Sequence, residues 1–571
     1  MNIESRKKTY FITGILLNIC ILLIYINAQY PMVGGDYGYF ISRIIDVIAH
    51  YKNNGLSIQW FTPTFGGGLP AFPNPQHTQF FVPQFLSMVV NPWLAILISI
   101  AVVSLVGYYI CYKLITATLE FDWKVGIIGS IFFISNGFYI QHLAAGHLTF
   151  LLFPLLILGF YLVFSKKEVL LNGLALGLVL AGILFSGGVH ILIIFALAYL
   201  MTVPLVILLF PSKTNLKRIV AISLIGLLTS ILLSSGKLYA VISFVSHFPR
   251  DFFSNQLPIK FDLYLAAFFG FLFQFIAVPS LFLLEFYRDY HTHFCEIDVS
   301  IIYPQMAFLY SGIREIVLNG IKTLRNNPRK LKRKILLISF LLIAVWFVFE
   351  FAAGYGFLYK ATKEWPIINS ITVRSRYTAA FLFPILILCL KPLKKFLNKT
   401  PTHAKRKFGI IYILSLCSFF IYFLVPNNIK PRTLNVKAAI DSYHQVMENT
   451  NFRITKIDNM NEIFAIPAGT SSLMPYEAVF GYKLETFKAE TIQGPITLTD
   501  GEYYNMTNPY HLVYSNDPSF RRFTKDEYQM METFASYKQP EWNIPTIQIV
   551  LNIIGVITLI IIQVFILSII I

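Results

Sequence analysis

Residues 189–210 read VHILIIFALAYLMTVPLVILLF, an apolar run without a charged side chain. A helix of about 20 such residues is long enough to cross the ~30 Å hydrocarbon core of a bilayer. Comparable runs recur along the chain and predict twelve membrane spans in all, at roughly 10–28, 93–112, 125–141, 148–164, 169–187, 189–210, 218–235, 263–286, 335–352, 377–392, 408–425 and 546–570. The predicted fold class is therefore an α-helical polytopic membrane protein.

The composition agrees with this fold class. The 571 residues are 56% hydrophobic and only 13% charged, and the mean hydropathy is +0.62. Soluble domains carry about 25% charged residues, so these values argue against a soluble enzyme and against a disordered chain. The five cysteines include no C-x-x-C pair, which argues against a disulfide scaffold and against a cysteine metal or redox site. The first apolar run follows Arg6, Lys7 and Lys8 without a small-residue cleavage site, which predicts a retained anchor.

The charges predict an orientation. If the N-terminus lies inside, the inner segments hold 26 Lys and Arg against 9 Asp and Glu, whereas all other residues hold 20 of each. This asymmetry follows the positive-inside rule and explains the net charge of +17 without a nucleic acid. The choice between two candidate spans stays open, because only one of them can cross the membrane. Hydropathy favours 263–286, whereas the charge distribution favours 299–319. The predicted location is an inner (plasma) membrane.

Two outer segments are long enough to carry function. The first, 29–92, is rich in Gly, Pro and aromatic residues. The second, 426–545, is predicted to be an exported mixed α/β domain, with a helical opening and short strands. The predicted domains are accordingly a membrane domain over 1–425, this exported domain, and a C-terminal anchor over 546–571.

Asp36 is the candidate catalytic residue. It follows Gly35 in the stretch Pro31–Tyr39, PMVGGDYGY, just after the first span. Apolar residues at spacings of three and four then predict an amphipathic helix on the membrane surface. Two interpretations of Asp36 are open: the side chain caps this helix, or it is a general base held at the membrane interface.

The rest of the first outer segment predicts a binding loop. Residues 59–83 read QWFTPTFGGGLPAFPNPQHTQFFVP, in which glycines permit unusual backbone angles and aromatic rings offer faces to a sugar or an isoprenoid chain. The candidate substrate-binding residues here are Gly35, Trp60, Gly67, Asn74, Gln76 and His77.

These motifs resemble the first outer loop of the GT-C superfamily of glycosyltransferases and, more closely, bacterial membrane proteins of the YfhO type. The resemblance rests on the tryptophan, the Gly-Gly-x-Pro pattern and the Asn-Pro-Gln pattern of residues 59–83, and it covers roughly 30–160. It implies a GT-C-like fold. It also implies that Asp36, the acidic residue after the first span, deprotonates an acceptor hydroxyl.

Two further motifs are similar to those of the same proteins. One is His142-Leu-Ala-Ala-Gly-His147, whose histidines are candidates to position a substrate or are interfacial groups satisfied by water. The other is the arginine motif Arg374-Ser-Arg376. A guanidinium binds phosphate oxygens in a bidentate way, although arginines at a span end also anchor lipid headgroups. Lys237 and Arg250 are weaker phosphate-binding candidates.

A metal site is the least supported candidate. The stretch 291–298, HTHFCEID, clusters potential ligands, and Glu296 with Asp298 would be the acidic pair for a divalent ion. Such a cluster on a short loop is more often incidental.

Together these features predict a membrane glycosyltransferase of the inverting GT-C type. Its partners would be the lipid bilayer, a polyprenyl-phosphate sugar as donor and a cell-envelope glycan or lipid as acceptor, with reaction on the outer face. A transporter of lipid-linked precursors and a non-catalytic envelope assembly protein are the alternatives. Transporters place ionisable residues within spans, whereas the polar motifs here lie at the outer boundary.

Overall fold

The computed structural model describes the chain in segments. The described residues are 3–65, 69–247, 272, 298–324, 328–354, 356–363, 373–399, 403–424, 432–449, 452–454, 456–458, 466, 469–472, 533–538 and 544–570.

Helices dominate the described residues. In chain order they are α1 Ile3–Ile26, α2 Tyr37–Asn54, α3 Val82–Leu86, α4 Pro92–Lys113, α5 Trp123–Ile134, α6 Gly137–Ala145, α7 Leu156–Phe164, α8 Val169–Phe185, α9 Val189–Leu209, α10 Leu216–His247, α11 Tyr303–Leu324, α12 Pro328–Ala353, α13 Phe357–Thr362, α14 Leu382–Asn398, α15 Ala404–Leu424, α16 Val436–Glu448 and α17 Thr546–Ile570. Shorter turns join them: a π-helix at Leu114–Thr118 and 3₁₀ helices at Leu148–Leu155 and Ser375–Phe381.

Three two-stranded sheets accompany the helices. Strand β1 (Met32–Val33) pairs antiparallel with β4 (Leu434–Asn435), and β2 (Phe61–Thr62) pairs antiparallel with β3 (Leu69–Pro70). Strand β5 (Lys456–Asp458) pairs parallel with β6 (Thr470–Ser472). The first pairing joins residues four hundred positions apart in sequence, so it ties the first outer segment to the second.

The polytopic helical fold class is confirmed. Seven helices of the described chain are long and apolar enough to cross a membrane: Glu4–Ile26, Pro92–Thr118, Trp123–Ala145, Val189–Leu209, Leu216–Ser243, Ile335–Ala353 and Thr546–Ser568. Two predicted spans fall on the shorter apolar helices Leu148–Phe164 and Val169–Phe185. The spans predicted near 377–392 and 408–425 fall on α14 and α15. The total of twelve spans stays a prediction.

The choice between 263–286 and 299–319 also stays open, because the first range lies outside the described residues except for Leu272. The second is largely the helix α11, which packs along α14. A Cβ on Gly312 would collide with the carbonyl oxygen of Leu388, and the Cys389 thiol lies 3.5 Å from the carbonyl oxygen of Gln305. This close packing places one side of α11 against the helical bundle.

The two ends of the bundle differ in charge. At one end Glu120 forms ion pairs with Lys166 and Lys213, which links three loops. Hydrogen bonds from the two lysines lower the pKa of Glu120 to about 2. The opposite end, called here the loop-rich end, carries residues 27–65, 69–91, 432–449 and 533–538. It is the end at which α6 finishes and α9 begins.

The predicted helix after Asp36 is confirmed as α2, but its surroundings differ from the expectation. The apolar residues Ile41, Ile44 and Ile48 are buried as predicted, and so are Arg43 and Asp46 on the polar side. A helix lying on a membrane surface would leave that side in water. Here protein covers it, because residues 59–62 and 533–538 supply hydrogen-bond partners for Asp46.

The described parts of 426–545 lie against the first outer segment. The predicted helical opening is present as α16, which packs on α2. The backbone N–H of Val436 donates to the carbonyl oxygen of Pro31 over 3.0 Å. Residues 459–465 and 473–532 lie outside the described chain, so the predicted domain boundaries stay predictions.

Candidate active site

Two glycines bring Asp36 against the end of α6. The backbone N–H of Asp36 donates to the carbonyl oxygen of Ala145 over 3.2 Å. A Cβ on Gly34 would collide with the carbonyl oxygen of Ala144, and a Cβ on Gly146 would collide with the backbone nitrogen of Tyr37. Only residues without a Cβ permit this approach of the two backbones.

The Gly-His motif ends helix α6 and aims His147. Gly146 adopts the left-handed conformation at φ +98°, which glycine reaches without steric cost. The backbone N–H groups of Gly146 and His147 then donate to the carbonyl oxygen of His142 over 3.1 and 2.9 Å. This turn reverses the chain, so that His147 lies beside the segment that carries Asp36.

Asp36 contacts His147 and does not cap α2. Its Oδ2 contacts His147 Nε2. Asp36 occupies the N-cap position with helical φ −70° and ψ −13°, and its side chain accepts no capping hydrogen bond. The carboxylate is 21% exposed and the His147 side chain 14%. The capping interpretation is therefore not supported, and a partly exposed carboxylate stands next to a titratable imidazole.

Phe150 is the ring on which the predicted histidine and arginine motifs converge. His142 lies 4.3 Å and His147 6.0 Å from Phe150 between ring centroids. The guanidinium of Arg376 lies 5.6 Å above the same ring, and the ring of His190 stacks on it at 6.3 Å with 12° between planes. The Phe150 cluster is defined here as Asp36, His147, Phe150, His190 and Arg376.

His190 joins this cluster to the first outer loop. Its Nδ1 lies 2.7 Å from the Tyr377 hydroxyl, and its Nε2 lies 3.3 Å from Gln76 Nε2. Because Gln76 Nε2 is a donor, His190 Nε2 accepts and the Nδ1–H donates to Tyr377. The predicted residues Gln76 and Arg376 therefore meet Asp36 in one region, through a histidine and a tyrosine that sequence reasoning missed.

His142 is buried next to the Phe150 cluster. Its Nδ1 lies 2.9 Å from the carbonyl oxygen of Phe138 one turn earlier, and its ring lies 5.1 Å from that of His147. The contact orients the ring under His147. Of the two histidines predicted to position a substrate, His147 is the one that reaches Asp36.

Arg374 lies against a different ring from Arg376. Its guanidinium is 4.7 Å from the Tyr359 ring, and a Cβ on Gly354 would lie 2.6 Å from its Nη1. Burial lowers the pKa of Arg374 from its usual value, although a guanidinium stays charged in proteins. The short helix α13, which carries Tyr359, is held by the carboxylate of Glu350: its Oε2 accepts the Leu358 N–H over 2.6 Å.

The other predicted loop residues form a second, buried cluster. Lys237 on α10 is 2% exposed, and its ammonium donates to the carbonyl oxygens of Phe72 and Asn74. Trp60 packs edge-on against Phe72 at 5.0 Å between ring centroids. Asn74 Oδ1 accepts the Gln76 N–H over 2.8 Å. These contacts make Trp60, Asn74 and Lys237 parts of the loop's own framework, while Gln76 reaches out to His190.

His77 and Asp46 complete this buried loop cluster, defined here as Asp46, Gln59, Thr62, His77 and Lys237. Burial lowers the pKa of His77 well below 6.5, and the positive charges of Lys237 and Arg43 act in the same direction. His77 is therefore neutral near pH 7. Asp46 is 1% exposed and accepts hydrogen bonds from Gln59 Nε2 at 2.9 Å and Thr62 Oγ1 at 2.6 Å.

Gly35 is the point where the second outer segment crosses the first. A Cβ there would lie 2.7 Å from the Thr433 hydroxyl. Three other predicted residues, Gly67, Arg250 and Glu296, lie outside the described chain.

The predicted metal site has no described ligand set. Asp298 is fully buried, and its Oδ1 accepts the Ser300 N–H over 2.8 Å. It lies beside Gly137, at the end of α6 away from His147. Within the described segments, no group of three His, Cys, Asp or Glu side chains is placed to hold a metal.

The comparisons with known proteins yield distant structural likenesses. No family model matches the sequence, and no curated protein matches it. The chain is similar to ArnT from Cupriavidus metallidurans, in a crystal structure bound to undecaprenyl phosphate, with 11% identity and a TM-score of 0.43 over 83% of this chain and 87% of that one. It is also similar to the arabinofuranosyltransferase AftD from Mycobacteria, solved by single-particle cryo-EM, with 11% identity and a TM-score of 0.39.

The second likeness covers 78% of this chain and 29% of AftD, so this chain spans less than a third of that protein. At TM-scores below 0.5, neither structure assigns a residue or a role in this chain.

Proposed function

We propose that this protein is a membrane glycosyltransferase that moves a sugar from a polyprenyl-phosphate donor to a hydroxyl of a cell-envelope glycan or lipid. The observation that carries the proposal is the Phe150 cluster. A carboxylate that caps no helix is paired with His147, and the guanidinium of Arg376 lies over the aromatic ring that His147 also approaches. A base and an anion-binding group in one place are the two parts that sugar transfer from a phosphate needs.

Asp36 serves as the general base in this proposal. It takes the proton of the acceptor hydroxyl while the oxygen attacks the anomeric carbon of the donor sugar. The bond between that carbon and the phosphate oxygen breaks, and the polyprenyl phosphate leaves with the electron pair. A single displacement of this kind inverts the anomeric configuration. General-base assistance contributes about 10²–10⁴-fold to such reactions.

Arg376 binds the departing phosphate. Negative charge grows on the phosphate as the glycosidic bond breaks, and a planar guanidinium can donate two parallel hydrogen bonds to it. The ring of Phe150 lies against the guanidinium. His190 stacks on the other part of this cluster through the same ring, and hydrogen bonds with Tyr377 and Gln76 hold His190 in place. His147 is a positioning residue, because its contact directs the Asp36 carboxylate away from the helix it precedes.

The charge distribution supports an orientation in the membrane. The loop-rich end carries the Phe150 cluster, and the opposite end carries the basic loops around Lys166 and Lys213. Under the positive-inside rule this arrangement favours the outer face for the cluster, where a lipid-linked donor can arrive from the bilayer. We propose a bacterial plasma membrane as the location, in keeping with the resemblance of the outer-loop motifs to bacterial membrane proteins.

Cysteine labelling tests this orientation. His444 on α16 and Lys405 on α15 are both exposed. In a background without other cysteines, His444→Cys should react with an impermeant maleimide added to intact cells, and Lys405→Cys should react only after lysis. The reverse pattern would place the cluster inside and remove the argument for a lipid-linked donor.

A transfer assay tests the reaction itself. The purified protein in liposomes receives a radiolabelled polyprenyl-phosphate sugar and a mixture of envelope glycans and lipids. We expect label in an acceptor, or released by slow hydrolysis, with inverted configuration. Asp441→Asn, which removes an exposed carboxylate outside the cluster, is the control that retains activity. Donor movement across the bilayer without transfer would instead support a transporter, and absence of donor binding would support an assembly protein.

A further inference from the structure

The described parts of 426–545 hold helix α2 at three separate places. At its N-terminal side, β4 pairs with β1 through Met32 and Asn435. At its C-terminal end, Lys52 donates to the carbonyl oxygens of Val446 and Met447 over 2.8 and 2.9 Å. In its middle, Asp46 accepts a hydrogen bond from a tyrosine of the segment 533–538.

This tyrosine, Tyr537, is inserted into the first outer segment. It is fully buried, and its hydroxyl donates to Asp46 Oδ1 over 2.7 Å and also contacts the Thr64 hydroxyl. Its carbonyl oxygen accepts the Asn54 side-chain N–H over 2.5 Å. Tyr537 adopts φ +62°, a conformation that a bulky residue keeps only where the surroundings enforce it.

The hydrogen bond completes the solvation of a buried carboxylate. Asp46 Oδ1 accepts from Thr62 and Tyr537, and Oδ2 accepts from Gln59. If a buried carboxylate loses one of its three neutral donors, its desolvation is no longer fully compensated and the folded state is destabilised. The 533–538 segment therefore stabilises the buried arrangement of Asp46 and, with it, the position of α2.

We propose that Tyr537 is a positioning residue for Asp36, and that the C-terminal extramembrane region acts in catalysis by fixing α2. Asp36 immediately precedes α2, so a displacement of this helix moves its carboxylate relative to His147 and Arg376. A positional error of about 1 Å in a reacting group can cost on the order of 10²-fold in rate. The part of this inference that concerns catalysis rests on the proposed glycosyl transfer; the part that concerns α2 does not.

The experiment compares Tyr537→Phe with Tyr443→Phe in the full-length protein. Both variants remove one buried hydroxyl that joins the C-terminal region to the first outer segment. The Tyr443 hydroxyl, however, donates to the carbonyl oxygen of Ser87 over 2.9 Å, away from α2. We expect hydrogen exchange over residues 37–54 to rise about 10-fold or more in Tyr537→Phe, and to stay unchanged there in Tyr443→Phe.

Transfer kinetics then separate positioning from stability. In Tyr537→Phe, kcat should fall about 10-fold while the KM for the donor stays within about twofold, because phosphate binding by Arg376 does not depend on α2. Unchanged exchange over 37–54 would overturn the inference, and so would raised exchange with an unchanged kcat. If the wild type transfers no sugar but the exchange result holds, the proposed function fails and the attachment of α2 by Tyr537 stands.

Discussion

The Phe150 cluster and the buried loop cluster use charged side chains in opposite ways. In the Phe150 cluster, Asp36 is 21% and His147 14% exposed, and the two side chains contact each other. In the buried loop cluster, Lys237 is 2% exposed and is satisfied by backbone carbonyl oxygens, while Asp46 is satisfied by neutral donors. Groups of the first kind can exchange a proton with a substrate. Groups of the second kind stabilise the loop and, through Asp46, helix α2, so substitutions at Asp36 and at Lys237 should have separable effects.

The largest expected effect is the loss of activity in Asp36→Asn. The amide cannot take up a proton near pH 7, so transfer should fall about 10²-fold or more. Folding should be nearly unaffected, because the Asp36 side chain caps no helix and Asn can still accept a hydrogen bond from His147. The measurement is transfer rate per folded molecule, with thermal unfolding in detergent as the control. Near-normal transfer would remove the central residue of the proposal.

Lys237→Met should lower the stability of the protein and leave its transfer activity unchanged. Two buried carbonyl oxygens, those of Phe72 and Asn74, lose their donor. The cost of leaving them unpaired exceeds the gain from no longer burying an ammonium, for a net loss of about 2 kcal/mol in the free energy of unfolding. Thermal unfolding in detergent should report the loss, while transfer per folded molecule stays near the wild-type value.

The sequence predicts instead that Lys237 binds substrate. A raised donor KM with an unchanged unfolding temperature would support that role and contradict the comparison between the clusters.

Arg376→Lys should raise the KM for the donor about 10-fold, because the positive charge is kept but the planar pair of donors is lost. Arg374→Lys is the matched control. Its guanidinium lies against Tyr359 rather than Phe150, so we expect a smaller change. Equal effects in the two variants would mean that the arginine motif acts as a unit, and no effect in either would favour lipid anchoring.

Local motifs allowed much of this arrangement to be predicted. The apolar runs predict the membrane helices, since about 20 apolar residues have few alternatives to a span. Asp36, His147, Gln76 and Arg376 were found because they lie in local motifs, outside the long apolar runs, that resemble motifs of the GT-C superfamily and of YfhO-type proteins. His190 was missed because it is the second residue of the apolar run 189–210. A membrane span already accounts for that run, so the histidine in it drew no separate interpretation.

Contacts between distant parts of the chain could not be predicted in the same way. The pairing of Met32 with Asn435 and the insertion of Tyr537 against Asp46 leave no periodic signal in either partner. The predicted exposure of the polar side of α2 was wrong for this reason: amphipathic spacing shows that a helix has two sides, but not what covers the second one.

The smallest expected effect is a change in the pH dependence of stability in His77→Gln. Folded His77 stays neutral because burial holds its pKa well below 6.5, whereas the unfolded chain takes up a proton as the pH falls through 6.5. Protonation of the unfolded state lowers the stability of the wild type by about 1 kcal/mol between pH 6.5 and about 5.5. A glutamine does not titrate, so this contribution disappears.

The measurement is the thermal midpoint at about pH 7.5 and about pH 5.5 in both proteins. We expect the drop between the two pH values to be smaller in His77→Gln than in the wild type. His50, whose pKa burial also lowers, contributes equally to both and cancels in the difference. An identical drop in the two proteins would mean that His77 is protonated in the folded state. The buried loop cluster would then hold a titrating group, and the distinction from the Phe150 cluster would fail at that residue.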